Sequence, residues 1–220
     1  MVRVSLDLKE SDGQISAQIN KIIGQRLSSA LKSAAPMILS EIKDVVREAI
    51  VASPEYRELF GGSLQAELGV PSAGSRIDRI LDMWLESIEV EIQRPKFSMR
   101  GVTGGLSVIG IRDGYADVLG TSDASYVTEK GKTIPWLQWL LIEGDRAIIA
   151  DYTFSPNIQQ GERSRTGLGV MRQERSKRWR VPPQFSGTST NNFVTRSLNS
   201  VAVQIEKSIQ FHVERFFGGS

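Results

Sequence analysis

Apolar residues at Ile15, Ile19, Ile22, Ile23, Leu27, Ala30, Leu31, Ala34, Ile38, Ile42, Val45, Val46 and Ala49 recur mostly in steps of three and four. That spacing lines one face of an α-helix. Gln18, Lys21, Gln25, Lys32, Lys43 and Arg47 fill the other face. Ser11 with Gln14 three residues on has the form of a capping box. The pattern predicts a helix over 11–51, roughly 60 Å long if straight. Pro36 lacks the N–H of a helix interior and should kink or divide it near Ala34-Ala35; two shorter antiparallel helices are the alternative. A helix of this length outruns one small core and is expected to project or to pack on another subunit.

Ser53-Pro54-Glu55 has the form of an N-cap followed by proline at the first helical position. Gly61-Gly62 should end that short helix, and 63–68 should add a turn closed by Gly69 and Pro71. Ser75 is expected to cap another helix through Ile77, Ile80, Leu81 and Trp84, with Asp78 in its first turn. At Ser87 the period falls to two: Ile88, Val90 and Ile92 alternate with Glu89, Glu91 and Gln93, the mark of a half-buried strand. Pro95 should end it, and Gly101, Gly104 and Gly105 should make a flexible connection. Strands over 106–111 and 115–119 would flank a tight turn at Arg112-Asp113-Gly114. A short helix over 134–142, with Pro135 in its first turn and Gly144 as its stop, precedes a strand over 146–154.

Residues 155–190 carry Pro156, Gly161, Gly167, Gly169, Pro182, Pro183 and Gly187 and little periodicity. They are expected to hold at most a short hairpin near Gly167. Thr190 or Asn191 should cap a last helix with Phe193, Val194, Leu198, Val201, Ile205, Ile209 and Val213 on its apolar stripe. The expected class is α+β: a long N-terminal helix, a central antiparallel sheet of four or more strands, a C-terminal helix packed on that sheet, and a long extended loop arm. The expected parts are 1–52, 53–154, 155–190 and 191–220, within one domain.

Composition narrows the chemistry. In 220 residues, 27 cations face 25 anions, a net charge of +2, so any basic site is local. Within 163–180, Arg163, Arg165, Arg172, Arg175, Lys177, Arg178 and Arg180 stand against Glu174 alone. There is no cysteine and one histidine, His212, which leaves little for thiolate, multi-histidine or Ser–His chemistry. No apolar run has the length of a membrane span, and the first ten residues alternate apolar and polar without a signal-peptide core. A soluble, non-catalytic protein with no cofactor and no metal is expected. Gly131-Lys132-Thr133 resembles the end of a phosphate loop, but Tyr126 stands where the first glycine belongs; Thr133 is better read as a helix cap. Glu89 and Glu91 are expected on a wet strand face, and His212 on the polar side of the last helix.

The remaining candidates are interface residues. Trp136 and Trp139 could plug the core or form an aromatic patch at a subunit contact. Arg163, Arg165, Arg178, Trp179, Arg180 and Phe185 belong to a segment with three readings: an arm that docks on a neighbour, a surface for DNA phosphates with Trp179 stacking, or a solvated loop. The docking arm is the expectation, since the prolines suit extended docking and tryptophan and arginine anchor interfaces.

Several stretches together carry a resemblance. They are Ser53-Pro54-Glu55-Tyr56, Gly62-Ser63-Leu64, Glu67-Leu68-Gly69-Val70, Ile134-Pro135-Trp136-Leu137-Gln138-Trp139-Leu140-Leu141, Ser164-Arg165-Thr166-Gly167, Trp179-Arg180-Val181-Pro182-Pro183, Gly187-Thr188 and Asn192-Phe193-Val194-Thr195-Arg196. From Ser53 onward the chain resembles the neck or tail-completion proteins of tailed bacteriophages, most specifically in the Trp-Leu-x-Trp-Leu-Leu and Trp-x-Val-Pro stretches. The resemblance implies a structural virion protein, made in the host cytoplasm, forming a ring of six or twelve copies of itself. Its partners would be portal or adaptor and tail proteins, with genomic DNA passing the lumen without specific binding and no membrane involved. It brings no catalytic residues. A tail terminator capping the tail tube is one alternative; a nucleic-acid-binding protein acting through 163–180 is another.

Overall fold

The computed structural model describes residues 11–98, 101–110 and 115–218. Its elements in order are α1 (Asp12–Val51), α2 (Pro54–Glu58), α3 (Ser63–Leu68), α4 (Ala73–Glu86), β1 (Glu89–Ser98), β2 (Gly101–Ile109), α5 (Ala116–Leu119), a 3-10 turn (Ser122–Ala124), β3 (Tyr126–Val127), β4 (Thr133–Ile134), α6 (Trp136–Leu141), β5 (Ile149–Ser155), β6 (Val170–Trp179) and α7 (Phe193–Gly218). The fold is mixed α+β, with a long helix at each end and small antiparallel sheets between. Among the described residues the strands form three two-stranded antiparallel ladders, β1–β2, β3–β4 and β5–β6, and not one sheet of four or more. The chain divides into two compact units. The boundaries fall at 41/42, 88/89, 109/110 and 205/206, away from the expected 52, 154 and 190.

The first unit holds residues 11–41, the described part of 89–109, and 206–218. The capping box at the start of α1 is present: Ser11 N–H donates to Gln14 Oε1 at 2.9 Å and Gln14 N–H to Ser11 Oγ at 3.4 Å. α1 passes Pro36 as one helix of 40 residues, so the expected division is absent. A proline inside a helix costs about 3 kcal/mol; Leu31, Ala34 and Ile38, buried on either side of it, offset that amount. β1 pairs with β2 from Glu89↔Ile109 to Ser98↔Gly101. Pro95 does not end β1; the register shifts between Gln93 and Lys96, which is how a ladder absorbs a missing donor. Gly101 and Gly105, expected in a flexible connection, lie in β2. Glu89 and Glu91 are exposed as expected.

The second unit holds 42–88 and the described part of 110–205. Ser53 Oγ accepts the Tyr56 N–H at 3.3 Å, with Pro54 behind it, and Gly69 closes α3 with a left-handed φ of 63°. α4 begins at Ala73, three residues before the expected first turn, so Asp78 sits mid-helix. There Asp78 accepts a hydrogen bond from the Tyr56 hydroxyl. The expected strand over 115–119 is the short helix α5, and the turn at Arg112-Asp113-Gly114 lies outside the described residues. Thr133 belongs to β4; α6 starts after Pro135 without a side-chain cap.

α7 is capped by Asn192, one residue beyond the expected Asn191. Asn192 is fully buried, and its Oδ1 takes the Thr195 N–H and the Tyr115 hydroxyl, each at 3.1 Å. Its Nδ2 donates to Leu141 O at 3.2 Å and Thr188 O at 3.0 Å. Phe193 and Val194, in the first turn of α7, line a small apolar void with Ile77, Ile80, Trp84, Leu137 and Leu141, so this end of the helix rests on α4 and α6 and not on a sheet.

Candidate functional site

The expected interface aromatics are the core of the second unit. Trp136 is 0 % exposed, Trp179 5 % and Phe185 7 %. Trp136 Nε1–H donates to Asp123 O at 2.8 Å. Asp123 in turn is gripped by Arg79 at 2.6 Å and Arg76 at 3.5 Å, and the Arg79 hydrogen bond holds its carboxyl below the ordinary range. The 3-10 turn thereby ties α4 to α6. Trp139, half-buried, meets Trp179 edge to face with ring centroids 5.9 Å apart. The two most specific stretches of the resemblance therefore pack on each other.

The 155–190 segment is not an extended loop throughout. Residues 170–179 form β6, a ten-residue strand paired with β5, and not a short hairpin near Gly167. Trp179 Nε1–H donates to Glu67 Oε2 at 3.1 Å, and burial pushes the Glu67 carboxyl up while that bond pulls it down. Val181 is buried. Gly144 and Gly187 touch: Gly144 N–H donates to Gly187 O at 3.0 Å, and a Cβ on Gly144 would stand 2.7 Å from Gly187 N. Only glycine permits that approach, which fixes the end of the segment to the chain beyond α6. Trp136, Trp179 and Phe185 are thus withdrawn as free anchors. Arg163, Arg165, Arg178 and Arg180 are exposed, as an interface role requires. Arg165 reaches Gly69 O at 3.4 Å, and Arg172 is held at 2.8 Å by Glu162.

β6 has one irregularity that no sequence signal announced. Ala150 pairs with Arg178 and Tyr152 with Gln173, so residues 174–177 stand opposite Asp151 alone. Asp151 and Ser176 take left-handed φ values of 58° and 68°, and Asp151 Oδ1 accepts the Ser176 N–H at 2.9 Å. Residues 173–178 are all exposed, and they include Arg175, Lys177 and Arg178.

In the first unit His212 is buried and not on a polar face. Its Nε2 lies 2.6 Å from Glu41 Oε2, joining α7 to α1, while its Nδ1 is buried without a partner. The His212 hydrogen bond holds the Glu41 carboxyl below the ordinary range. This is a helix-to-helix tie.

The first turns of α1 are the opposite of a core. Ile19 is 51 % exposed, Ile22 53 % and Ile23 40 %. With the half-buried Ile15 and Leu27 they form a stripe of helical spacing facing water. Isolated exposed apolar residues are ordinary; a contiguous stripe marks a contact surface.

The void beside α7 measures about 30 Å³ and has no polar lining, so it is a packing gap and no ligand pocket. Among the described residues no three His, Asp or Glu side chains stand close enough to hold a metal ion, and no helix is long and apolar enough to cross a membrane. No family model matches the chain, and no curated protein and no solved structure matches it.

Proposed function

We propose that this chain is a structural virion protein of a tailed bacteriophage, assembling with copies of itself into a ring at the neck that joins the capsid connector to the tail. The observation that carries the reading is the uncovered stripe Ile15, Ile19, Ile22, Ile23 and Leu27 on α1. A ring subunit must offer head-to-tail surfaces that are satisfied only by a neighbour. The stripe is such a surface, and covering its three exposed isoleucines contributes about 3 kcal/mol per contact. The resemblance gives the reading its particular form. Its two specific stretches meet in the Trp139–Trp179 contact, inside the subunit's own core. The portal or adaptor and the tail proteins are then the partners above and below the ring, and DNA passes through it.

Sedimentation velocity across a concentration series tests this. The chain should move from subunit to a closed species of fixed copy number, with no continuing ladder of larger forms. A subunit mass of 24.3 kDa retained at every concentration would overturn the ring.

A further inference from the structure

We infer that the bulge of β6, through Arg175, Lys177 and Arg178 with Arg180 beyond it, is a contact surface for the phosphate backbone of duplex DNA, engaged without regard to base sequence. This goes beyond the ring reading and does not rest on it.

The first argument is charge. From 173 to 180 four cations, Arg175, Lys177, Arg178 and Arg180, face the single anion Glu174. All four are exposed. Lys177 lies 3.9 Å from Glu174, an exposed pair that salt and water weaken. Arg175, Arg178 and Arg180 make no ion pair among the described residues. The nearest carboxylate in the ladder, Asp151, accepts the Ser176 N–H instead. By contrast Arg172, on the same strand, is occupied by Glu162 and Asn157 O, and Arg165 by Gly69 O. The basic segment therefore separates into cations tied to other parts of the subunit, Arg165 and Arg172, and the cations of 173–180, whose one ion pair, Lys177 with Glu174, lies within the bulge itself.

The second argument is backbone form. Two adjacent strands carry left-handed non-glycine residues, Asp151 and Ser176, which costs of order 1 kcal/mol each. The result is four residues pushed out of the ladder opposite one. A bulge re-aims side chains. Here it takes Arg175 and Lys177 out of the ladder at exposed positions, with Arg178 paired to Ala150 and exposed beside them.

The third argument separates nucleic acid from protein as the partner. Residues 173–178 read Gln, Glu, Arg, Ser, Lys, Arg, with no apolar side chain among them. Trp179, the aromatic next in line, is buried. A protein interface needs an apolar centre. Phosphate oxygens need only cations and donors. Tyr152, at the foot of the bulge and 37 % exposed, adds a hydroxyl donor of the kind that contacts phosphate. A single phosphate ion would need donors converging in a pocket; cations at successive exposed strand positions meet phosphates spaced along a backbone.

The test is fluorescence anisotropy of the full chain with a labelled random-sequence DNA duplex across a salt series. The native chain should bind at low salt with log affinity falling linearly in log salt. The triple variant Arg175→Ala, Lys177→Ala, Arg178→Ala should bind at least tenfold more weakly, with a slope flatter by about 3. Arg163→Ala with Arg165→Ala should stay within about twofold of native. The charge-keeping pair Arg175→Lys, Arg178→Lys should bind within about threefold, which separates lost charge from lost fold. Absence of duplex binding at low salt, or a triple variant that binds like the native chain, would overturn the inference. So would displacement of the duplex by polyglutamate at equal charge concentration, which would assign the bulge to an acidic protein.

Discussion

α6 and the first turns of α1 are both helical and both rich in large apolar side chains, yet they meet water in opposite ways. In the six residues of α6, Trp136, Leu137, Leu140 and Leu141 are all buried. On α1, Ile19, Ile22 and Ile23 stand in solvent. The difference lies in what surrounds each helix. α6 is enclosed by parts of its own unit: the 3-10 turn through Asp123, the Trp179 end of β6, and the first turn of α7. A helix so short has no stability of its own and exists because it is enclosed. α1 has 40 residues and a capping box, so its first turns can form before anything covers them. One region spends its apolar surface on the subunit; the other leaves it available to a neighbour.

The sharpest way to break this contrast is Trp136→Ala. The ring is fully buried, and removing it leaves a cavity and strips Asp123 O of its donor. Unfolding in urea should show a loss of about 4 kcal/mol. Trp179→Ala should cost about 3 kcal/mol and raise the Glu67 carboxyl further, because the one bond that lowers it is gone. A Trp179→Ala chain with native stability but impaired assembly would return that residue to the interface and undo the contrast.

Asn192→Ala tests whether the enclosure of α6 is held by polar as well as apolar contacts. The side chain caps α7, takes the Tyr115 hydroxyl, and donates to Leu141 O at the end of α6. Losing the cap and leaving buried partners unpaired should cost about 2 to 3 kcal/mol by denaturant unfolding. Asn192→Asp keeps the acceptor of the cap but sets a carboxylate oxygen against the carbonyls of Leu141 and Thr188 in a fully buried site, so it should destabilise at least as much as alanine.

On the other side of the contrast, Ile22→Asp with Ile23→Asp should leave the subunit's unfolding midpoint unchanged, since both positions are exposed. Self-association should weaken by about 2 kcal/mol, roughly thirtyfold in dissociation constant, read by sedimentation. A double variant that associates like the native chain would show that the stripe is not the contact.

These regions also show how far periodicity reaches. The stripe of α1, the caps at Ser11 and Ser53, the alternation of β1 and the stop at Gly69 were legible because each is a local rule acting within a few residues. β6 was not. Its residues have no alternation, because the bulge breaks the period and most of the strand is exposed. The burial of Trp179 depends on Trp139 and Glu67, 40 and 112 residues away in the chain, as does that of His212 on Glu41. The strand expected at 115–119 failed for a related reason: the aromatic and β-branched side chains of Tyr115 and Val118 favour strands, but their burial against Asn192 and the void beside α7 suits a single helical turn. The stripe on α1 told that a surface should be covered; it carried no information on whether the cover belongs to this chain or to the next.

The smallest expected effect concerns the 156–169 connection between β5 and β6, which decides whether the arginine-rich segment is held by the subunit along its whole length. Glu162 is its anchor. The carboxylate accepts Arg172 Nε at 2.8 Å and Nη2 at 2.9 Å, and the Gln159 N–H at 2.7 Å. The Arg172 bond first, and the Gln159 bond second, depress the Glu162 carboxyl to about 2 from an ordinary 4.5. A depressed carboxylate stabilises the folded arrangement at every pH above 4.5, and that contribution is lost as pH falls from 4.5 toward 2. The pair is half-buried at the surface of the 156–169 connection, so the loss is local and the second unit stays folded. Carboxyl carbon NMR should place the Glu162 midpoint near 2, and the Gln159 amide should lose exchange protection over the same interval while the Trp179 indole keeps its own. In Arg172→Gln the midpoint should return toward the ordinary range. A Glu162 that titrates near 4.5 in the native chain would show that the connection is not pinned there, and that the segment is free to reach a neighbour after all.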